Sequence, residues 1–210
     1  MSDILKQLAR AQRFGWLVRL RRDGLDYHKA HSEGFVVAAS PSFVVLHVAA
    51  PTLYLDGYEV FCTADLTEVR VGFRSRRFLE EALRLRGQRP SAPARLDLSS
   101  TPTLLTSAGR LFPLLVVHRE RIHRDSCWIG QVASMTEKTF VLREIDPSAK
   151  WDGQTRYRFR DITRIGFGGA YEEALALVAG LLPRRRTGLT DPRGRKMSRR
   201  RGRSTCEEAL

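Results

Sequence analysis

The chain has 210 residues, 42% hydrophobic and 28% charged, with 36 Lys and Arg against 23 Asp and Glu for a formal net charge of +13. This is ordinary globular composition, which excludes a fibrous or wholly disordered chain, and the length allows one or two domains. No apolar run approaches the roughly 18 residues of a membrane span, the best being Leu111 to Val117 with Pro113 inside it.

Cys62, Cys127 and Cys206 are odd in number and widely spaced, without a CxxC pair, which predicts a reducing, cytoplasmic setting and no disulfide framework. The N-terminal MSDILKQLARAQR is charged throughout and lacks the apolar centre of a signal peptide. Ten of the basic residues but only three of the acidic ones fall in the 27 residues from Arg184 onward, a net of +7. A basic tail points toward polyanions. Only five of the 36 cations are lysines, as a GC-rich genome would produce, so arginine abundance alone carries little weight.

In chain order, Ser2 is expected to cap a helix with Ile4, Leu5, Leu8 and Ala11 on one face. Trp16 to Arg21 reads as a strand and Arg22 to Ser32 as a polar loop. Gly34 to Ala39 and Val44 to Ala49 form a hairpin across Ser40-Pro41-Ser42. A connection containing Pro51 ends at Asp56-Gly57, read as a turn, and Tyr58 to Thr63 follows as a fourth strand. Asp65 is expected to cap a one-turn helix before a fifth strand, Glu68 to Phe73, and Arg76 to Arg86 closes the unit as a helix.

Residues 88–102, rich in Pro, Ser and Ala, read as a linker, after which the plan recurs. Sliding Gly34 to Val71 forward by 96 positions lays it without a gap on Gly130 to Phe167. Nine residues match outright: Gly34/Gly130, Val36/Val132, Val45/Val141, Leu46/Leu142, Pro51/Pro147, Asp56/Asp152, Gly57/Gly153, Asp65/Asp161 and Thr67/Thr163. Chance would give about two, or about four after choosing the best offset, so duplication is the better account. The second copy carries a shorter, weaker leading helix and a closing helix around Tyr171 to Leu182. The segment 183–210 has almost no large apolar residues and is expected to be disordered.

The order of elements resembles the Sm-like barrel, a small SH3-like fold of five bent strands. Each copy carries its Gly-initiated hairpin, as Gly34-Phe-Val-Val with Phe43-Val-Val-Leu and as Gly130-Gln-Val with Phe140-Val-Leu. Both copies also resemble short bacterial proteins of unassigned role with the pattern G-F-V, F-V-L, D-G-Y and D-I-x-x-I, matched by Asp65-Leu-Thr-Glu-Val and Asp161-Ile-Thr-Arg-Ile. The Sm-like resemblance implies RNA binding and ring formation. The Asp and Asn of its uridine pocket are not matched, since the hairpin turns read Ser40-Pro41-Ser42-Phe43 and Thr136-Glu137-Lys138-Thr139.

No catalytic triad, phosphate-binding loop or metal-ligand spacing is found, so no cofactor and no metal are expected. The fourth strands differ most between the copies. Arg156, Arg158 and Arg160 alternate with Tyr157 and Phe159, whereas the positions facing the same way in copy one are Val60, Cys62 and Ala64. This predicts that the fourth strand of copy one is covered, by copy two or a second chain, and that the arginines form a polyanion-binding surface or a solvated face. The predicted fold is therefore mainly β with flanking helices: residues 1–87 and 103–182 as two tandem Sm-like five-stranded barrels and 183–210 as a basic tail. The predicted function is non-enzymatic nucleic-acid binding, RNA before DNA, through Arg156, Arg158, Arg160 and Arg164 and the tail residues Arg184, Arg185, Arg186, Arg199, Arg200 and Arg201. The alternative is an assembly module that meets a homo-oligomer or protein partner through the barrel edges and the apolar fourth strand of copy one.

Overall fold

The computed structural model describes residues 3–26 and 31–181. The helices are α1 (Asp3–Phe14), α2 (Arg76–Leu85), α3 (Thr101–Leu111) and α4 (Ala170–Val178). The strands of the first half are β1 (Leu17–Arg21), β2 (Ser32–Ala39), β3 (Phe43–Ala49), β4 (Leu55–Cys62) and β5 (Glu68–Arg70). Those of the second are β6 (Leu115–His118), β7 (Cys127–Met135), β8 (Thr139–Ile145), β9 (Trp151–Arg158) and β10 (Arg164–Phe167). The expected Ser2 cap and everything expected of 183–210, including Arg184, Arg185, Arg186, Arg199, Arg200 and Arg201, lie outside the described residues.

All ten strands join one open antiparallel sheet in the order β5-β1-β2-β3-β4-β10-β6-β7-β8-β9. This corrects the expectation of two closed barrels set side by side. The reason is backbone pairing: an unpaired edge strand leaves a row of N–H and C=O groups unsatisfied, and β4 and β10 satisfy each other, Arg164 lying opposite Phe61 and Phe167 opposite Tyr58.

Within each half the strands take the same order, and the registers recur at offsets of 96 and 97. Val18 faces Gly34 as Leu115 faces Gly130, and Phe43 faces Cys62 as Thr139 faces Arg158. Register shifts fall between Val36 and Ala38 and again between Val132 and Ser134. The glycine opening each hairpin has a steric cause: a Cβ on Gly34 would lie 2.5 Å from the His47 carbonyl oxygen, and one on Gly130 would press still harder on that of Arg143. Thr67 and Thr163 repeat one set of bonds. Thr67 Oγ1 donates to Arg21 O (3.2 Å) and accepts from Asp23 N (3.0 Å); Thr163 Oγ1 donates to His118 O (3.1 Å) and accepts from Glu120 N (3.0 Å).

Three local expectations are corrected. Asp65 and Asp161 do not cap the 3-10 turns but end them, at Thr63–Asp65 and Phe159–Asp161, because in the first half the turn begins where Thr63 N bonds Ser42 O. Asp56-Gly57 lies inside β4; the turn before it is closed by Leu53 N on Ala50 O, with Leu53 at φ 60°. The second leading helix is nearly as long as the first, 11 residues against 12, because Ser100 Oγ accepts from Thr103 N and caps it.

Alternate strand residues feed opposite faces. On one face Leu8 and Ala11 of α1 pack against Val18, Leu20, Val36, Leu46 and Phe61. On the other, Leu17 and Phe35 pack under Leu83 of α2, as Leu114 and Ile145 pack under Leu175 of α4. Helix α3 lies over the junction of the halves, its Leu104, Leu105 and Ala108 sharing a core with Val45 and Val60 from the first and with Val117, Phe140, Leu142 and Ile165 from the second. Leu96 and Leu98 of the expected linker pack against this core, and Ser40 Oγ donates to Leu98 O (3.4 Å).

Candidate functional site

Strand β9 ends the sheet, and its outer edge has no partner strand among the described residues. Tyr157 points into the core, 4% exposed, and donates from its hydroxyl to Glu144 (2.5 Å). Burial and that carboxylate push its pKa up. Because side chains alternate, Arg156 and Arg158 face the other way, into solvent, and Arg160 in the following 3-10 turn is also exposed. Among the described residues Arg156 and Arg158 form no ion pair, and Arg160 only approaches Asp161, at 3.8 Å. Arg158, Phe159 and Arg160 line a cleft of about 630 Å³ with Glu137, Lys138 and Thr139.

Arg164, the fourth described arginine expected on this surface, sits instead in the middle of the sheet. Its guanidinium donates to Glu59 (2.7 Å), Glu120 (3.1 Å) and His118 Nδ1 (3.2 Å). Its charge is thus committed inside the protein. The same cluster holds Arg22, with 2% of its side chain exposed, which donates to Glu120 (2.9 Å), to Asp26 (2.7 Å) and to the Thr163 carbonyl (3.3 Å) while lying 5.0 Å from the Phe61 ring centre. Burial would lower the pKa of Arg22, but the hydrogen bonds and charges of Glu120 and Asp26 together outweigh it and the value is raised. For Glu120 burial acts upward, and the bond and charge of Arg22 bring the carboxyl below its ordinary value. Arg121 pairs with Asp65 across the same junction. Sequence reasoning missed Arg22 and Glu120 because each lies in a polar loop; the available signal was that Arg22 and Asp23 recur 97 positions later as Arg119 and Glu120.

Arg119 occupies the corresponding place in the second half. Its guanidinium lies 4.9 Å from the Tyr157 ring centre and 5.3 Å from that of Trp128. Unlike Arg22 it has no carboxylate at hydrogen-bonding distance, Asp161 being 3.9 Å away, and its Nε is buried with no hydrogen-bond partner among the described residues.

Behind the β4–β10 junction a hollow of about 360 Å³ gathers Asp56, Glu59, His118, Cys127 and Glu172. Burial pushes the Cys127 thiol and the Glu172 carboxyl up. Burial, with Arg164 beside it, pulls His118 down to about 3. These shifts favour the neutral thiol, acid and imidazole, and the Nδ1 of that imidazole is taken up by Arg164. Among the described residues no group of three or more His, Cys, Asp or Glu is placed to hold a metal ion. No helix among them is long and apolar enough to cross a membrane.

No family model matches the sequence, and a search of the curated proteins returns no significant match.

Proposed function

We propose that this is a non-enzymatic, cytoplasmic nucleic-acid-binding protein, built by duplication of an Sm-like five-stranded unit, in which Arg156, Arg158 and Arg160 hold a phosphate backbone. The observation that carries the reading is the unmatched charge at β9. Some arginines elsewhere are matched to acids, as in Arg19 with Glu33, Arg76 with Glu80 and Arg164 with Glu59, and others such as Arg10, Arg13 and Arg70 form no ion pair among the described residues either; what sets β9 apart is that its unpaired arginines follow one another at alternate positions of an edge strand beside a cleft. At β9, Arg156 and Arg158 face solvent without an acid. Guanidinium groups bind phosphate oxygens in pairs of hydrogen bonds, and the row of cations follows a strand as a backbone would. Lys138 and the half-buried ring of Phe159 border the same cleft, combining charge with an aromatic surface as single-stranded sites do. The preference for RNA over DNA rests on the Sm-like resemblance of the hairpin motifs. The basic residues from Arg184 onward add a sequence-independent electrostatic contribution.

The alternative role for β4 of the first half, as a protein-binding surface, loses its basis: its edge pairs with β10, and its Val60 face lies in the core beneath α3.

The test is a fluorescence-anisotropy titration of labelled single-stranded RNA, single-stranded DNA and duplex DNA with the full chain and with Arg156→Ser/Arg158→Ser/Arg160→Ser. The substitutions are expected to weaken RNA binding tenfold or more, at unchanged thermal stability. Equal binding by both proteins would remove β9 as the interface.

A further inference from the structure

We propose that α2 lays its outer face on the surface of an anionic lipid membrane, with Phe78 and Leu85 dipping among the headgroups and the arginines around them meeting lipid phosphates. The helix is apolar on two sides. Its inner side, Leu79 and Leu83, packs on Leu17 and Phe35. Phe78 and Leu85 are about two helical turns apart and so share the opposite side, where they are 62% and 70% exposed. Glu81, which lies between them, is held by Arg84 at 2.6 Å, so the one acid on this face is matched.

The other large apolar side chains exposed in the described first half are Phe14 and Tyr54, and each stands at one end of α2. At the start of the helix the Arg76 guanidinium lies 5.6 Å from the ring centre of Trp16, which stacks on Phe14 at 5.0 Å. Just past its end the Arg86 guanidinium lies 4.4 Å from the ring centre of Tyr54. A membrane interface accommodates this arrangement: aromatic rings settle at the level of the headgroups, and arginine stems cover apolar surface while their guanidinium groups stay in water.

Charge decides among the occupants. Residues 74–86 carry Arg74, Arg76, Arg77, Arg84 and Arg86 against Glu80 and Glu81. Arg74 and Arg77 are exposed and form no ion pair among the described residues. A second copy of the chain would bring the same charges to the face, so α2 is not suited to cover itself. Nucleic acid would meet the arginines but leave Leu85, which has no flat ring to stack on a base, in water. An anionic bilayer takes both the cations and the apolar pair. The second half supplies the comparison. Its closing helix α4 also exposes Tyr171 and Val178, but it carries Glu172 and Glu173 with no Lys or Arg, so an anionic surface would repel it. The basic face is therefore a property of α2 and not a requirement of the fold.

This inference does not rest on the nucleic-acid reading, and its test is run on the nuclease-treated full chain. Vesicles of phosphatidylcholine and phosphatidylglycerol, mixed three to one, are expected to sediment the chain at physiological salt, and vesicles of phosphatidylcholine alone are expected to leave it in solution. Phe78→Ser/Leu85→Ser, at two exposed positions, is expected to keep the thermal stability and the RNA affinity of the full chain and to weaken binding to the anionic vesicles roughly tenfold. The double substitution changes no charge, so binding supplied only by the basic residues from Arg184 onward would be indifferent to it, and that result overturns the proposal. So does a full chain that treats the two kinds of vesicle alike, or a double variant that loses RNA affinity with its vesicle binding intact.

Discussion

Arg22 of the first half and Glu120 of the second lie 2.9 Å apart with only 2% and 3% of their side chains exposed. A charge that far from water is tolerated because Asp26, the Thr163 carbonyl and Arg164 complete the hydrogen bonding around the pair. The pair therefore ties the orientation of the halves to the β4–β10 ladder beside it.

Breaking the pair from one side strands a buried charge. Arg22→Met and Glu120→Leu are each expected to lower stability by roughly 3–5 kcal/mol, read as a drop in the urea midpoint. The double variant, which leaves no charge unpaired between these two positions, is expected to lose less than the two single losses added together. A strictly additive double variant would show that the two residues do not act as a pair.

Acid should loosen the same junction. The folded protein holds His118 near pKa 3 against an ordinary 6.5, so the unfolded chain binds the extra proton between those values. Stability is therefore complete above about pH 6.5 and falls as pH drops toward 3. Glu120, also held below its ordinary value, adds a loss of the same sign under acid. His118→Gln is expected to flatten the slope of the urea midpoint between pH 6.5 and 4.5; an unchanged slope would place the linked proton on another group.

Two glycine-to-alanine substitutions are expected to act in opposite directions. On Gly130 the new Cβ would press into the Arg143 carbonyl oxygen, forcing β7 and β8 apart, whereas on Gly109, inside α3, it meets nothing nearer than a Leu115 methyl at 4.0 Å. Gly130→Ala should destabilise by more than about 2 kcal/mol and Gly109→Ala should stabilise by roughly 0.5–1 kcal/mol, measured by thermal unfolding.

Arg164 separates structure from binding. Arg164→Ser removes donors to Glu59, Glu120 and His118 and is expected to lower the melting temperature. Its effect on RNA affinity should be far smaller than that of the β9 substitutions. An Arg164→Ser protein with normal stability and no RNA binding would put that guanidinium on the interface.

The hairpins, the closing helices and the contrast between Val60 and Arg156 were legible in the sequence because each is written locally, in period-two alternation, helical spacing and one 96-residue offset. The partner of β4 was not, since no local pattern says that Ile165 will lie opposite Val60. The misplacement of Arg164 follows from this: a basic residue opening a short strand reads as exposed until that strand is known to be central. The sequence assigned no role to Arg119, and the comparison with Arg22 marks it as a buried arginine with no carboxylate at hydrogen-bonding distance among the described residues.

The most direct measurement is the salt dependence of RNA binding for the full chain beside Arg156→Ser/Arg158→Ser/Arg160→Ser. Each phosphate that the protein no longer neutralises makes the slope of log K against log salt shallower by about 0.7 for a single strand, so the triple variant should differ by roughly two, with weaker binding throughout. A full chain that binds no RNA at low salt, or a variant with the same slope and affinity, would contradict the assignment of β9 as the nucleic-acid interface.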